Sequence, residues 1–346
     1  MQVDYFIVGL GLAGISFCEQ LRANNKSFMV FDNESQKSSI VAAGLYNPVV
    51  LKRFTPVWKS ELQLAMLKSH YGQLERRLGL KLDYDLPVYR RFASLEEQNN
   101  WFIASDNPQL GQFLSNDLIR NANSSVNAPF GFGKVLETGR IDVKTLISAY
   151  RTELEHDDKI RYESFEYSSI IITSDGIVYK NLEAKHIVFS EGYGISKNPY
   201  FDTLPLSPTK GELLIIEAPD LKIDYVLKGP VFLVPLCEDI YIVGATYDWT
   251  DRSNVPTQEA KDWLVDKLKG IITCPFEIID HVAGIRPTVK DRKPLVGTHA
   301  EYKNVHVLNG LGTRGVMIGP YVALQLFDNI EFHKPLDEDI DIKRFN

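Results

Sequence analysis

Val3-Asp4-Tyr5-Phe6-Ile7-Val8-Gly9-Leu10-Gly11-Leu12-Ala13-Gly14 decides the fold. The first six residues make a short, nearly continuous apolar run, as in a strand buried on both faces of a parallel sheet. The rest is G-x-G-x-x-G, in which Gly9 makes a tight turn, Gly11 lets the backbone approach a pyrophosphate and Gly14 lets helix pack on strand. The unsatisfied N–H groups and positive dipole end of the following helix then face an anion. That helix runs through Ile15, Cys18 and Leu21 and stops at Asn24-Asn25, and residues 27–31 (SFMVF) read as a second strand. Asp32 closes it, where a carboxylate accepts hydrogen bonds from an adenosine ribose and disfavours a 2′-phosphate. The unit is a βαβ dinucleotide site that leaves NAD and FAD open and speaks against NADP.

Outward from this unit, Thr55-Pro56 offers a cap and a first-turn proline, and Leu64, Leu67, Tyr71, Leu74 and Leu78 recur at helical spacing. Residues 92–135 form a mixed segment outside the nucleotide-binding sheet. Asp142 caps a helix with apolar face Val143, Leu146, Ile147, Tyr150 and Leu154. Residues 211–246 read as antiparallel sheet, residues 258–268 as a helix, and residues 305–308 as a strand followed by Gly310, Gly312, Gly315 and a helix over 321–328. The strand, glycine, helix pattern thus returns near the C-terminus, which implies a discontinuous domain with an inserted partner.

The 346 residues suffice for two domains, and 44% apolar with 24% charged residues is an ordinary globular balance. A net charge of −7 provides no global positive field for nucleic acid, so tRNA or other nucleic-acid partners are disfavoured. Three cysteines without C-x-x-C spacing, no run long enough to span a membrane and no basic leader lead to the expectation of a cytoplasmic protein. The seven histidines show no ligand spacing, so no metal site is expected.

Further motifs choose between the dinucleotides. Residues 38–48 (SSIVAAGLYNP), Lys210-Gly211-Glu212, Val243-Gly244-Ala245-Thr246, Gly284-Ile285-Arg286-Pro287, Pro294-Leu295-Val296-Gly297 and Gly310-Leu311-Gly312-Thr313-Arg314-Gly315 resemble, in order and spacing, the D-amino-acid oxidase and glycine oxidase (DAO) family of flavoenzymes. The resemblance covers nearly the whole chain. It implies an α/β fold with a discontinuous Rossmann-like FAD-binding domain (residues 1–80, 137–205 and 283–346) and an inserted, mostly antiparallel β-sheet substrate domain (81–136 and 206–282). FAD lies extended, with its pyrophosphate at Gly9, Gly11 and Gly14 and its ribose at Asp32. The isoalloxazine lies between Ser39, Ala42, Ala43, Gly44 and Asn47 on one side and Gly310, Gly312, Thr313, Arg314, Gly315, Val316 and Met317 on the other, with Gly192 beside the cofactor. No cysteine lies near the closing glycine cluster, so the FAD is expected to be noncovalent. Glu191 stands where many relatives have a small residue, and Leu311 where glycine oxidases tend to have His.

The implied reaction is oxidation of a C–N bond next to a carboxylate, with a small-molecule amine or amino acid as substrate. Arg286 matches the carboxylate-binding arginine, Arg314 serves cofactor or substrate, and Tyr247 lines the pocket. G-L-G-T-R-G also resembles the flavin-containing half of the enzyme that modifies wobble uridine in tRNA, where the same oxidation removes a carboxymethyl group from a nucleobase amine. An NAD-linked dehydrogenase explains residues 9–32 but not the closing cluster. A noncatalytic flavin-binding or electron-transfer subunit explains both without turnover.

Overall fold

A computed structural model describes residues 1–345. Among them the chain builds two eight-stranded sheets. In the first, the Gln2–Val8 strand lies between Phe28–Phe31 and Leu182–Phe189, parallel to both. Val305–Asn309 continues the parallel set beyond Leu182–Phe189, and an antiparallel hairpin of Ile170–Ile172 and Ile177–Tyr179 covers another edge. The opening apolar run is buried on both faces, as its composition predicts. Tyr5 and Ile7 enter one core, and Val3, Phe6 and Val8 the other. The Leu12–Ala23, Ser60–Leu78 and Gly315–Phe332 helices cover the first face and pack on one another.

The second sheet runs Glu277–Arg286, Thr209–Glu217, Ile240–Gly244, Phe232–Cys237, Val226–Lys228, Val88–Arg91, Phe132–Val135, Leu114–Ile119. Its pairs are antiparallel except Val226–Lys228 beside Val88–Arg91. One face carries Leu214, Ile216, Leu227, Leu233, Tyr241 and Val243 against Leu264 and Leu268 of the Gln258–Lys269 helix. The opposite face carries one row of directly paired residues, Leu213, Gly244, Phe232, Lys228 and Arg90. Period-two alternation thus gives the sheet one greasy face and one that faces a cavity.

Several elements differ from the sequence reading. Thr55–Pro56 pairs as a short strand with Val49–Val50, and the helix begins only at Ser60, after Lys59 reverses the chain at φ 49°. Proline's fixed φ suits a strand edge as well as a first helical turn, and here tertiary pairing selects the strand. The mixed segment 92–135 contains the Ser94-capped helix Leu95–Ser105 and two strands of the second sheet. The last helix starts at Gly315, not 321, and contains Pro320. Proline there removes the N–H that would bond the Val316 carbonyl. The buried Tyr71 hydroxyl donates to that carbonyl at 3.2 Å, so the helix passes through its proline with the acceptor satisfied. Glu277–Arg286 also stays in the second sheet through Arg286, past residue 283, where the first domain was expected to resume. No helix among the described residues is long and apolar enough to cross a membrane.

Candidate functional site

The two sheets and the loops between them enclose a cavity of about 500 Å³. One end is the turn after Gln2–Val8. Gly9 adopts φ 96°, and a Cβ there would lie 2.6 Å from the Ser190 carbonyl oxygen, so only glycine lets the first strand turn under its neighbour. Gly11 precedes the Leu12–Ala23 helix with no side-chain cap, which leaves first-turn N–H groups facing the cavity. The Ser39 hydroxyl sits 3.4 Å from Leu12 N, at the edge of hydrogen bonding. Gly14 is off the wall, in the helix-to-strand contact expected of it, where its Cβ position falls 2.1 Å from the Gly9 oxygen.

Asp32 reaches the wall with Arg151 Nη2 donating to its Oδ2 at 2.7 Å. Its Oδ1 accepts nothing among the described residues and is oriented by the same ion pair. Arg151 comes from the Asp142-capped helix Val143–His156 and also pairs with Glu34 at 2.6 Å. The sequence reading missed it, because nothing local ties residue 151 to residue 32. This end fits FAD on three observations: a glycine turn a Cβ would fill, a helix N-terminus with unpartnered donors, and an aimed carboxylate with a free oxygen.

Of the other expected cofactor residues, Ser39, Ala42, Ala43, Gly44, Asn47, Gly192, Gly312, Thr313, Arg314, Gly315 and Val316 line the cavity. Gly310 and Met317 do not. Gly310 packs under the wall, with Val289 and Leu295 nearest its Cβ position, and Met317 points into the helical core because the helix already begins at Gly315. Glu191 does not reach toward a ligand. Tyr167 donates to its Oε1 at 2.5 Å and Asn198 to its Oε2 at 2.8 Å, which ties down the short turn that starts at Gly192. Burial raises its carboxyl above the ordinary range, and the two hydrogen bonds hold it back. None of the three cysteines lines the cavity.

The other end is the face of the second sheet. Arg286 closes its strand and lays its guanidinium flat over the backbone of Gly211, where a Cβ would fall 1.9 Å from Nη2 and 2.2 Å from Cζ. Nη1 donates to the carbonyls of Thr246, at 3.2 Å, and Lys210, at 3.4 Å, while Tyr247 stacks its ring 4.6 Å away. Nε and Nη2 have no partner among the described residues, so two adjacent donors remain for a planar anion. Burial lowers the Arg286 and Arg314 guanidinium pKa values, and Tyr247 opposes this in both. Both stay charged, as arginine does in proteins. Tyr247 itself is 62% exposed and stands at the mouth.

Flanking Gly211, Lys210 and Glu212 point the other way and are buried. Lys210 Nζ meets Asp251 at 2.5 Å and Glu212 at 3.0 Å, and Glu212 accepts from the Thr257 amide at 2.8 Å. This strand therefore pins the 247–257 segment, which carries Tyr247 over the cavity.

Sequence reasoning also missed Lys228. In Val226-Leu227-Lys228, alternation puts Val226 and Lys228 on one face, so a cation at a register position shared with an apolar residue was the available signal. Lys228 lines the cavity with Nζ 4.3 Å from the centre of the Phe232 ring.

The chain resembles known proteins along much of its length. It is 27% identical over 190 residues to the tRNA 5-methylaminomethyl-2-thiouridine biosynthesis bifunctional protein of Marinobacter nauticus, covering 50% of this chain and 29% of that protein. It is 26% identical over 192 residues to the glycine oxidase of Bacillus subtilis, covering 54% and 50%. The chain thus spans half or less of the length of these curated relatives. The crystal structure of glycine oxidase from Geobacillus kaustophilus superposes with a TM-score of 0.79 at 19% identity, over 100% of this chain and 98% of that one, and so shares the fold. A glycine-turn end suited to FAD and a sheet face with an arginine over it are what this shared fold brings together, and a model of FAD dependent oxidoreductases matches residues 4–328: the chain belongs to the DAO family of FAD-dependent oxidoreductases.

Proposed function

We propose that the chain oxidises the C–N bond next to the carboxylate of a free amino acid or N-substituted glycine. Arg286 carries this reading. Its anchored guanidinium leaves Nε and Nη2 free on the cavity wall, which matches a carboxylate bidentately and fixes the α carbon beside it. The lining on this face holds Arg90, Lys228, Arg286 and Arg314 and no carboxylate, since Asp32 and Glu191 belong to the dinucleotide end. Such a field favours the neutral amine, whose lone pair is needed for oxidation. FAD held there would supply a two-electron acceptor for the hydride from Cα, and hydrolysis of the resulting imine by water would give a carbonyl compound and an amine. Leu213, Phe232 and Tyr247 keep bulk water from the substrate, and Arg314 serves the cofactor edge or the substrate. Gly9, Gly11, Asp32 and the 39–47 and 312–316 walls hold the cofactor noncovalently, with residues 1–80, 137–205 and 287–346 as its domain and 81–136 and 206–286, to the end of the Glu277–Arg286 strand, as the substrate domain.

The test is anaerobic mixing of the yellow holoprotein with amino acids and N-alkyl glycines. Bleaching by a carboxylate-bearing amine is expected. The reading fails if dithionite bleaches the flavin and no member of this class does.

A second reading follows from the Marinobacter nauticus relative, whose name is that of a tRNA-modifying protein. In it the carboxymethylamine is borne by a tRNA base. Salt-sensitive tRNA binding, with affinity falling linearly in log salt, separates it from the first.

A further inference from the structure

Arg286, Arg314 and Lys228 converge on one wall, from the end of Glu277–Arg286, the loop before Gly315–Phe332 and the end of Val226–Lys228. Arg90, the neighbour of Lys228 in register, already has a carboxylate partner in Glu97, which accepts from its Nε at 2.8 Å and Nη2 at 2.5 Å. The other three have no carboxylate within 4 Å among the described residues, and Lys228 has no hydrogen-bond partner there. A single substrate carboxylate on Arg286 leaves an excess of positive charge on a partly buried wall, and an unpaired buried charge is costly.

Spacing locates the surplus. The Arg286 guanidinium lies over Gly211, in the strand next to its own. Lys228 leans onto Phe232, whose ring tip lies 2.9 Å from the Cβ position of Gly244. The two seats lie one to two strand spacings apart across the sheet, about 5 to 10 Å, and about 7 Å apart along it, since Gly211 is two residues from Leu213, the partner of Gly244. Allowing a hydrogen bond at each end, the gap matches two anionic groups joined through a few atoms, with the amine nitrogen between them.

Resting on the amine-oxidation reading, we propose that the substrate is dianionic: an N-substituted glycine whose second substituent bears another anionic group, held by Lys228 while Arg286 holds the first. The ammonium pKa of Lys228 fits that role. Burial, with the charges of Arg90 and Arg314, pulls it down to about 8, so the group is cationic at neutral pH and gains from an added anion.

The experiment uses the FAD-loaded protein and two probes of nearly equal size, N-(carboxymethyl)glycine and N-ethylglycine. Kd is read by calorimetry and from the perturbed flavin spectrum, and flavin bleaching is read separately. The dianion should bind about 10- to 150-fold more tightly than the monoanion. Lys228→Gln should bring the ratio of the two Kd values close to one, and Lys228→Arg should restore much of it. The proposal is overturned if wild-type protein binds both probes alike or neither, if Lys228→Gln keeps the preference, or if that variant loses FAD instead. A Lys228-dependent preference without bleaching by either probe supports the dianion site and counts against amine oxidation, so the two failures are distinguishable.

Discussion

Gly211→Ala places a methyl group under the Arg286 guanidinium. The new carbon would lie 1.9 Å from Nη2, 2.2 Å from Cζ and 2.4 Å from Nη1, against an ordinary contact of at least 3.4 Å. The head must therefore rise by about 1.5 Å. It can do so, because the obstruction is the far end of a flexible side chain and not backbone, so the sheet keeps its pairing and the thermal midpoint should scarcely move. The penalty falls on positioning. A displacement of about 1 Å costs roughly 100-fold in an oriented reaction, so kcat/KM for a carboxylate-bearing amine should fall by about that factor, some 3 kcal/mol of barrier. Steady-state kinetics with and without a substrate carboxylate, together with flavin absorbance to confirm retained FAD, make the assay. Arg286→Met is the reference, expected to lose roughly 30- to 4,000-fold on the same substrate. The double variant should be little worse than Arg286→Met alone, since both changes act through one group. Near wild-type kcat/KM for Gly211→Ala with FAD in place, or an equal loss on an amine without a carboxylate, would refute the reasoning.

Asp32→Ala should weaken FAD retention by about 10- to 150-fold, through loss of a charge-assisted acceptor and release of Arg151, measured by FAD titration of the apoprotein. Unfolding in place of flavin loss would make Asp32 structural. Tyr71→Phe strands the Val316 carbonyl beneath Pro320 and should cost about 1 to 3 kcal/mol in urea unfolding, and an unchanged midpoint would show that carbonyl satisfied elsewhere. Burial holds the His70 imidazole down to about 4, with Arg77 adding to the effect, against 6.5 when unfolded. Its folded pKa is depressed, so stability is full above pH 6.5 and is lost as pH falls toward 4. About 2 kcal/mol should go between pH 7 and 5, and His70→Leu should flatten that slope.

The dinucleotide end is legible because its parts are contiguous. Strand, glycines, helix and Asp32 follow one another within one βαβ unit, and each residue type has a local reason. The sheet face is legible only in part. Arg286 stands in a recognisable G-I-R-P, but the meeting of Lys228 with it depends on register across several strands, including the parallel pair of Val226–Lys228 with Val88–Arg91. Arg151 reaches Asp32 through tertiary packing alone. The true start of the last helix was hidden for a similar reason. Pro320 reads locally as a stop, and only the Tyr71 hydroxyl from a distant helix lets the helix run through it.

Lys210-Gly211-Glu212 also polices the alignment of its own strand. Side chains alternate, so a slip of one residue against either neighbour would turn Lys210 or Glu212 into the place of Gly211 and send the glycine to the packed side. Both charges would then leave Asp251, Thr257 and His281 behind, and a side chain would stand where the arginine must lie flat. A slipped sheet would thus forfeit the anchor of the 247–257 segment together with the seat of Arg286. The two ions act as a key cut for a single alignment, and misfolded forms that keep the strands but shift them gain no foothold.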